Sequence, residues 1–411
     1  MNVVGVILGG GKGSRLLPLT RDRAKPAVPV AGKYRLVDVS ISNCIHSDIR
    51  SIFLLTQFNS VSLHQHIQSS YPFHLFDKNF IRILAAQQTP DSGAWYQGTA
   101  DAVRKTFRYF VDEKPDLIVV LSGDQLYRMD FMDVIKQHEE KRADVTICTQ
   151  PVNRSDAKSL GIMQVDEDRK IIDFKEKPGD DSVLDGLQAP MCDDEKYLAS
   201  MGIYIFNIRA LSELLNDETK NDFGRHIIPS SIETCNVFSY IFEGYWKDIG
   251  AIRGFWEANL SLTEPMPPFN FYHSKNPIYT RTRYLSPSKI NQCILEQCLL
   301  SEGCIISATQ IKHSVVSIRA VVGEGSVVED SVIMGADYYQ EETKVEMVPP
   351  IGIGRGCTIK NAIIDKNACI GDGSYISPED KPNNTVTDLY TIRDGVIVIP
   401  KNAVIPAGTR V

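Results

Sequence analysis

The chain has 411 residues, with 44 Lys and Arg against 51 Asp and Glu, a formal net charge of −7. At roughly 150 residues per domain, that length suggests two or three domains, able to bury a large core without disulfide or metal staples. The composition, 43% hydrophobic and 23% charged, excludes a disordered, collagen-like or coiled-coil chain, and the acidic balance argues against a general nucleic-acid binder.

The chain opens Met1-Asn2-Val3-Val4-Gly5-Val6-Ile7-Leu8 and runs straight into Gly9-Gly10-Gly11 without a basic leader. A buried first strand fits this better than a signal peptide. No apolar run approaches the roughly 20 residues of a membrane span, so no membrane partner is expected. Residues 3–8, 52–55, 117–121 and 145–148 are short β-branched runs, read as buried strands; residues 100–112 and 131–141 read as helices. Their alternation over residues 1–262 predicts an α/β domain with a doubly wound, mainly parallel, Rossmann-like sheet. Ligands of such a sheet gather at the carboxyl ends of its strands.

The glycine-rich turn Gly9-Gly10-Gly11-Lys12-Gly13-Ser14-Arg15 follows the first strand. Glycines there let backbone N–H groups approach phosphate oxygens. The spacing matches neither the Walker motif nor GxGxxG, because Ser14 stands where the third glycine belongs. Arg15, Arg21, Arg23 and Lys25 follow within eleven positions, and triphosphate binding explains the cluster; a solvated basic loop is the alternative. Asp124 follows the apolar run that ends in Leu121-Ser122-Gly123, and Asp248 follows Tyr245-Trp246-Lys247. Two carboxylates at strand ends can share a Mg²⁺ with substrate phosphates, although either alone is more often a turn residue. Lys177, stiffened by Pro178, is a candidate fixed charge for a phosphate, although Lys-Glu-Lys by itself is more often a solvated surface turn.

Four prolines between 265 and 277 mark residues 263–284 as an extended linker whose aromatics pack on the domains. From 285 to 411 a hexad period emerges: Val315, Val321, Val327 and Ile333 lie six apart, as do Val316, Val322 and Val328. The pattern resumes at Ile353 and Ile359 and, after a one-residue slip, at Ile364, Ile370 and Ile376. This predicts a left-handed parallel β-helix of three hexads per coil, against the alternative of a β-sandwich. The nine cysteines, at 44, 148, 192, 235, 293, 298, 304, 357 and 369, form no CxxC pair. Reduced, mostly buried thiols are expected, with Cys293, Cys298 and Cys304 as core fillers of the coils.

Taken in order, GGGKGSRLLPL at 9–19, RAKPAV at 23–28, GKYRLVD at 32–38, WYQGTADA at 95–102, SGDQLY at 122–127, GIM at 161–163, EKP at 176–178, SMGIY at 200–204 and WKDIG at 246–250 resemble the glucose-1-phosphate adenylyltransferase family. The resemblance covers essentially the whole chain, including DKN at 365–367 and IPKNAVIP at 399–406. It implies conversion of ATP and α-D-glucose 1-phosphate to ADP-glucose and pyrophosphate, with Mg²⁺ on Asp124 and Asp248. It further implies that Gly10, Gly11, Arg15 and Lys25 hold ATP, while Tyr96, Gly161, Glu176, Lys177 and Ser200 form the glucose-1-phosphate pocket. Gln57 and Trp95 match positions that link regulator binding to catalysis. Lys33, Lys366 and Lys401 match lysines that contact an effector of sugar-phosphate or 3-phosphoglycerate type. A homotetramer or heterotetramer is implied, in the cytoplasm or, for a mature plant-type chain, the plastid stroma. Gln125 stands where many members have His, and Lys12 and Ser14 replace the commoner Ala and Thr. The rivals are a UTP- or dTTP-using transferase of the same architecture and a catalytically weak regulatory subunit. An acyltransferase β-helix is disfavoured, because His313 is the sole histidine beyond residue 280.

Overall fold

A computed structural model describes residues 1–72, 80–87, 95–188, 196–342 and 347–411. The first strand, Val3–Gly9, lies between Leu117–Ser122 and Ser51–Thr56, and Phe80–Ala85 extends the sheet beyond the latter. All three pairings are parallel. Val4, Val6, Ile118, Val120, Phe53 and Leu55 face one layer of core, while Ile7, Val119, Leu121, Ile52 and Leu54 face the other. Burial on both faces explains why these strands read as continuous apolar runs rather than alternating ones. The long strand Tyr197–Asn207 then pairs antiparallel with Leu117–Ser122, Val145–Val152 and Gly161–Val165. The doubly wound sheet therefore stands as expected, with this antiparallel strand, invisible to an apolar-run argument, carrying its other half.

The helices predicted at 100–112 and 131–141 are Thr99–Val111 and Phe131–Glu140. Asp130 caps the second by accepting a hydrogen bond from the Met132 amide at 2.9 Å.

The C-terminal strands form a left-handed parallel β-helix with register partners such as Ile305↔Val321 and Val315↔Val332. These partners lie sixteen and seventeen residues apart, not eighteen. The side from Val328 to Ile333, like that from Ile359 to Ile364, is five residues long rather than six. The column filling the interior is Ile311, Val316, Val322, Val328, Ile333, Ile353, Ile359, Ile364, Ile370 and Ile376, all buried. Val321 and Val327 point outward and are half-buried. Of the two hexad series, Val316, Val322 and Val328 is the true lining, joined by Ile333, whereas Val315, Val321 and Val327 lie one residue off it.

Val315 is buried for a different reason. It joins Val332, Ile363, Val396 and Val398 in a core shared with Ile252, Phe255 and Ala258 of the helix Ile252–Ser261. Each such fully buried side chain contributes roughly 1.5–3 kcal/mol, so the two domains are welded by a common apolar layer. The indole Nε1 of Trp256 donates to the Asp330 carbonyl across it, at 2.8 Å. The proline-rich linker lies against both domains: Phe269 is buried, and Phe271 stacks on Tyr34 with centroids 4.5 Å apart. Tyr272 is exposed. Of the cysteines, Cys44, Cys148, Cys304, Cys357 and Cys369 are buried, and Cys235, Cys293 and Cys298 half-buried. Cys304 and Cys357 face the coil interior, with Cys293 and Cys298 packed against it. Cys192 lies outside the described residues. No described helix is long and apolar enough to cross a membrane.

Candidate active site

The parallel strands deliver their carboxyl ends to one edge, and the glycine-rich turn leaves from that edge. Gly13 has φ +63°, and a Cβ there would meet Thr20 Cγ2 at 2.9 Å. Only glycine takes this bend without strain. Thr20 Oγ1 closes the turn by donating to the Gly13 carbonyl at 2.8 Å. The turn returns the chain to Lys25, whose Nζ lies 2.5 Å from Asp124 Oδ2 and 3.8 Å from Asp248 Oδ1. The two aspartates are brought together by an antiparallel pair of short strands, Gln125–Tyr127 and Trp246–Asp248, in which Asp248 faces Gln125. Ser122 donates its hydroxyl to Asp124 Oδ1 and fixes the other carboxylate oxygen.

Burial and the charge of Asp124 raise the Asp248 pKa, against the opposing pull of Lys25, Arg15 and Lys177. These five residues, distant in sequence, therefore sense one another electrostatically. Arg15 is exposed and lies beside Gly250, where a Cβ would come within 3.3 Å of its Nη2.

A cleft of about 370 Å³ opens beside this cluster, lined by Gly10, Gly11, Gln57, Tyr96, Gly98, Thr99, Ser122, Asp124 and Asp222, among others. Gln57 Oε1 accepts the Tyr96 backbone N–H at 2.8 Å, so it shapes the cleft wall. Burial pushes the Tyr96 phenol up to about 12. Trp95 is exposed and offers its carbonyl to Gln97 Nε2 at 2.9 Å. Sequence reasoning missed Ser122, Thr99 and Asp222. The first stood within SGD, whereas Asp222 reaches the cleft only through tertiary folding, where it accepts from Thr99 Oγ1 at 3.3 Å. The helix Thr99–Val111 begins at the cleft, and its first-turn amides are already engaged, those of Ala100 and Asp101 by the Asn221 carbonyl at 3.0 and 3.3 Å and that of Ala102 by the Gly98 carbonyl at 3.1 Å.

The expected sugar-phosphate pocket is built on a neighbouring hairpin, Gly161–Val165 with Ile171–Glu176, in which Gly161 faces Glu176. A Cβ at Gly161 would sit 2.6 Å from the Phe174 ring and 2.9 Å from Glu176 Oε2, so the Glu176 carboxylate packs directly on its backbone. Lys177 adopts φ +50° and is exposed, 3.5 Å from Glu176. Ser200 Oγ accepts the Gly202 amide at 3.2 Å, where Tyr197–Asn207 shifts register.

The basic run after the turn divides. Arg15 and Lys25 face the carboxylates, and Arg21 is exposed. Arg23 turns to the β-helix, where its Nη1 lies 2.9 Å from Asp365 Oδ1 with both side chains buried. Its assignment to triphosphate is thereby corrected: Lys25 and Arg23, two positions apart, point to opposite sides of the segment.

Arg23 enters a second cavity of about 350 Å³ at the domain junction, together with Arg35, Arg281, Arg283, Arg319, Lys366 and Lys401. Lys366 and Lys401 share the Asp337 carboxylate, at 2.5 and 3.1 Å. Burial, reinforced by Arg35, lowers the Lys366 pKa to about 7. Burial and Arg23 lower Arg35 to about 10, and burial with Arg281 and Arg319 lowers Arg283. Crowded, desolvated cations of this kind are relieved by a negative charge brought among them. Lys33 is not among them: its Nζ pairs with Glu302 at 2.9 Å in an adjoining, aromatic-lined cavity with Tyr34 and Phe271.

Among the described residues no group of three His, Cys, Asp or Glu could hold a metal. Asp124 and Asp248 alone suit a cation that takes its remaining ligands from phosphates and water. Residues 4–265 match the nucleotidyl transferase family model, and residues 283–410 match the GLGC left-handed parallel beta-helix domain. The first match spans well over half of the chain and contains the whole carboxylate–lysine cluster, and from it we conclude that this chain belongs to the nucleotidyl transferase family.

Proposed function

We propose that the protein converts ATP and α-D-glucose 1-phosphate to ADP-glucose and pyrophosphate. The observation that carries this reading is Lys25 set between Asp124 and Asp248 at the mouth of the glycine-rich turn. Glucose 1-phosphate is ionised at neutral pH, so no protein nucleophile is required. Its phosphate oxygen attacks the α-phosphorus of ATP in line, forming the new P–O bond as the bond to pyrophosphate breaks. Gly10 and Gly11 admit the triphosphate to their backbone amides, and Arg15 and Lys25 hold its charge. Lys177 holds the sugar phosphate, with Tyr96, Gly161, Glu176 and Ser200 around the sugar. Asp124 and Asp248 would hold Mg²⁺, which when bound supplies charge neutralisation on the reacting phosphates.

The junction cavity supports regulation by a small anion at Lys366 and Lys401, with fructose 1,6-bisphosphate and 3-phosphoglycerate as candidates. Lys33 would serve from the adjoining cavity, and Gln57 and Trp95 would relay the signal at the cleft. Assembly into a homotetramer or heterotetramer is supported by the first coil of the β-helix, where Ile290, Ile294 and Leu295 are exposed. A regulatory-subunit reading is weakened by retention of Arg15, Lys25, Asp124, Lys177 and Asp248. The test is synthesis and pyrophosphorolysis by the purified chain with each of four nucleoside triphosphates and glucose 1-phosphate, with and without either effector. Preference for UTP or dTTP overturns the adenylyl assignment, and activity that appears only with a partner subunit favours the regulatory one.

A further inference from the structure

Two basic sites, one at the catalytic edge and one at the domain junction, are joined by three residues of chain. Lys25 reaches Asp124 at 2.5 Å on one side, and Arg23 reaches Asp365 at 2.9 Å on the other. Between them Ala24 is buried, and its N–H donates to the Asn59 carbonyl at 3.0 Å. Asn59 Nδ2 in turn holds the carbonyls of Thr20 and Arg21, at 3.1 and 2.9 Å. Pro26 stiffens the next position, and the Val28 amide closes a turn on the Lys25 carbonyl at 3.1 Å. A segment pinned this way has no slack in which a movement of Arg23 can be absorbed before Lys25.

The far end is equally fixed. The Asp365 amide donates to the Ile399 carbonyl at 3.0 Å, and Asp365 Oδ1 also accepts the Lys366 amide at 2.6 Å. Lys366 continues to Asp337, and Asp337 to Lys401. Ion pairs and hydrogen bonds, joined by the covalent chain through Lys366 and through Ala24, thus connect the junction cavity to the catalytic cluster. The Arg23–Asp365 pair is also half-made: Arg23 Nη2 and Asp365 Oδ2 are buried without a partner. An arginine fork and a carboxylate can pair twice, and leaving one donor and one acceptor unsatisfied is costly. Ser62 Oγ and Arg319 Nε, on the same cavity, are likewise buried and unpaired. A second pairing of fork and carboxylate would satisfy both orphaned atoms, and an alternative arrangement of that kind is what coupling between sites requires.

We infer that the buried Arg23–Asp365 pair is the strut through which anion occupancy of the junction cavity sets the position of Lys25, making Arg23 and Asp365 positioning residues for nucleotidyl transfer. The inference rests on the function proposed above for the catalytic cluster.

The test uses the full chain and the double variant Arg23→Met/Asp365→Leu, since replacing a buried ion pair with apolar residues of similar volume commonly preserves stability. Calorimetric titration of Mg·ATP is run with and without sulfate, alongside kcat and KM. In the wild type, sulfate shifts the ATP affinity at least about threefold. In the folded double variant that shift disappears and kcat falls roughly 10- to 100-fold, as misplacement of a catalytic group does, while the KM for glucose 1-phosphate stays within about twofold. Lys366→Gln also abolishes the sulfate shift; if it does not, sulfate competes at the glycine-rich turn and the strut is refuted. A wild type without the shift, or a folded double variant that keeps both the shift and kcat, likewise overturns it. A wild type that shows the shift but turns over no nucleoside triphosphate sinks the catalytic reading and leaves the strut standing on the binding data.

Discussion

The two basic regions differ in how their charge is balanced. At the catalytic edge Lys25 lies between carboxylates, and Lys177 sits beside Glu176. The cations are matched, and Asp248 is the strained partner, its pKa raised by burial and by the charge of Asp124. At the junction the strain is reversed. Arg35, Arg283 and Lys366 are the disfavoured charges, with Asp337 bridging two lysines. One region is short of positive charge and suits a metal with its phosphates; the other is short of negative charge and suits a free anion. Local net charge, not the chain's −7, distinguishes the two regions.

The contrast can be broken most severely at Asp124. Asp124→Asn should lower kcat about 10³-fold in steady-state assays while the melting curve is preserved, because it removes charge that the reacting phosphates require. Near-normal turnover would remove the metal assignment. Lys177→Ala should raise the KM for glucose 1-phosphate by about 10- to 100-fold, the worth of a charge-assisted contact, and leave the KM for ATP nearly unchanged.

A gentler probe is pH. Lys366, with its pKa near 7, loses its proton as pH rises through neutrality, and with it the attraction for an anion. Sulfate, which does not titrate in this range, should therefore bind about three- to tenfold more weakly at pH 8.5 than at pH 6.5 by calorimetry. A flat profile would show that Lys366 stays charged. The smallest effect concerns stability. The Asp248 carboxyl binds its proton more tightly folded than unfolded, so its contribution is present at acid pH and lost as pH rises through the folded pKa. Asp248→Asn should then raise Tm by about 1–3 °C at pH 7 without divalent metal, while impairing turnover. A fall in Tm would mean that the pull of Lys25 and Arg15 outweighs the burial cost.

Most of the architecture was legible because it rests on burial. Val3–Gly9 and Leu117–Ser122 are apolar on both faces, and the coil interior repeats one branched residue per side. The gathering of Arg15, Lys25, Asp124 and Asp248 was also legible, since each ends a strand or turn marked by glycine or an apolar run. What stayed hidden depends on direction rather than type. Nothing in Arg-Ala-Lys tells that its two cations face opposite ways. Arg35, Arg281, Arg283 and Arg319 share no motif and meet only when the β-helix docks on Ile252–Ser261. Lys33 was drawn elsewhere by Glu302, a partner 269 positions away.

The β-helix register carries one last implication. Val327 pairs with Thr358, 31 residues on, where neighbouring coils advance by 17. The surplus leaves at a corner after Met334 and returns before Ile353 without disturbing the column of branched residues. Asp337, the carboxylate that bridges Lys366 and Lys401, is borne on that excursion. A solenoid thereby separates a continuous interior column from its corner segments, which can be lengthened or trimmed without re-solving the interior. A side chain that reaches the junction cavity from such a corner, as Asp337 does, can therefore change while the column of branched residues stays as it is.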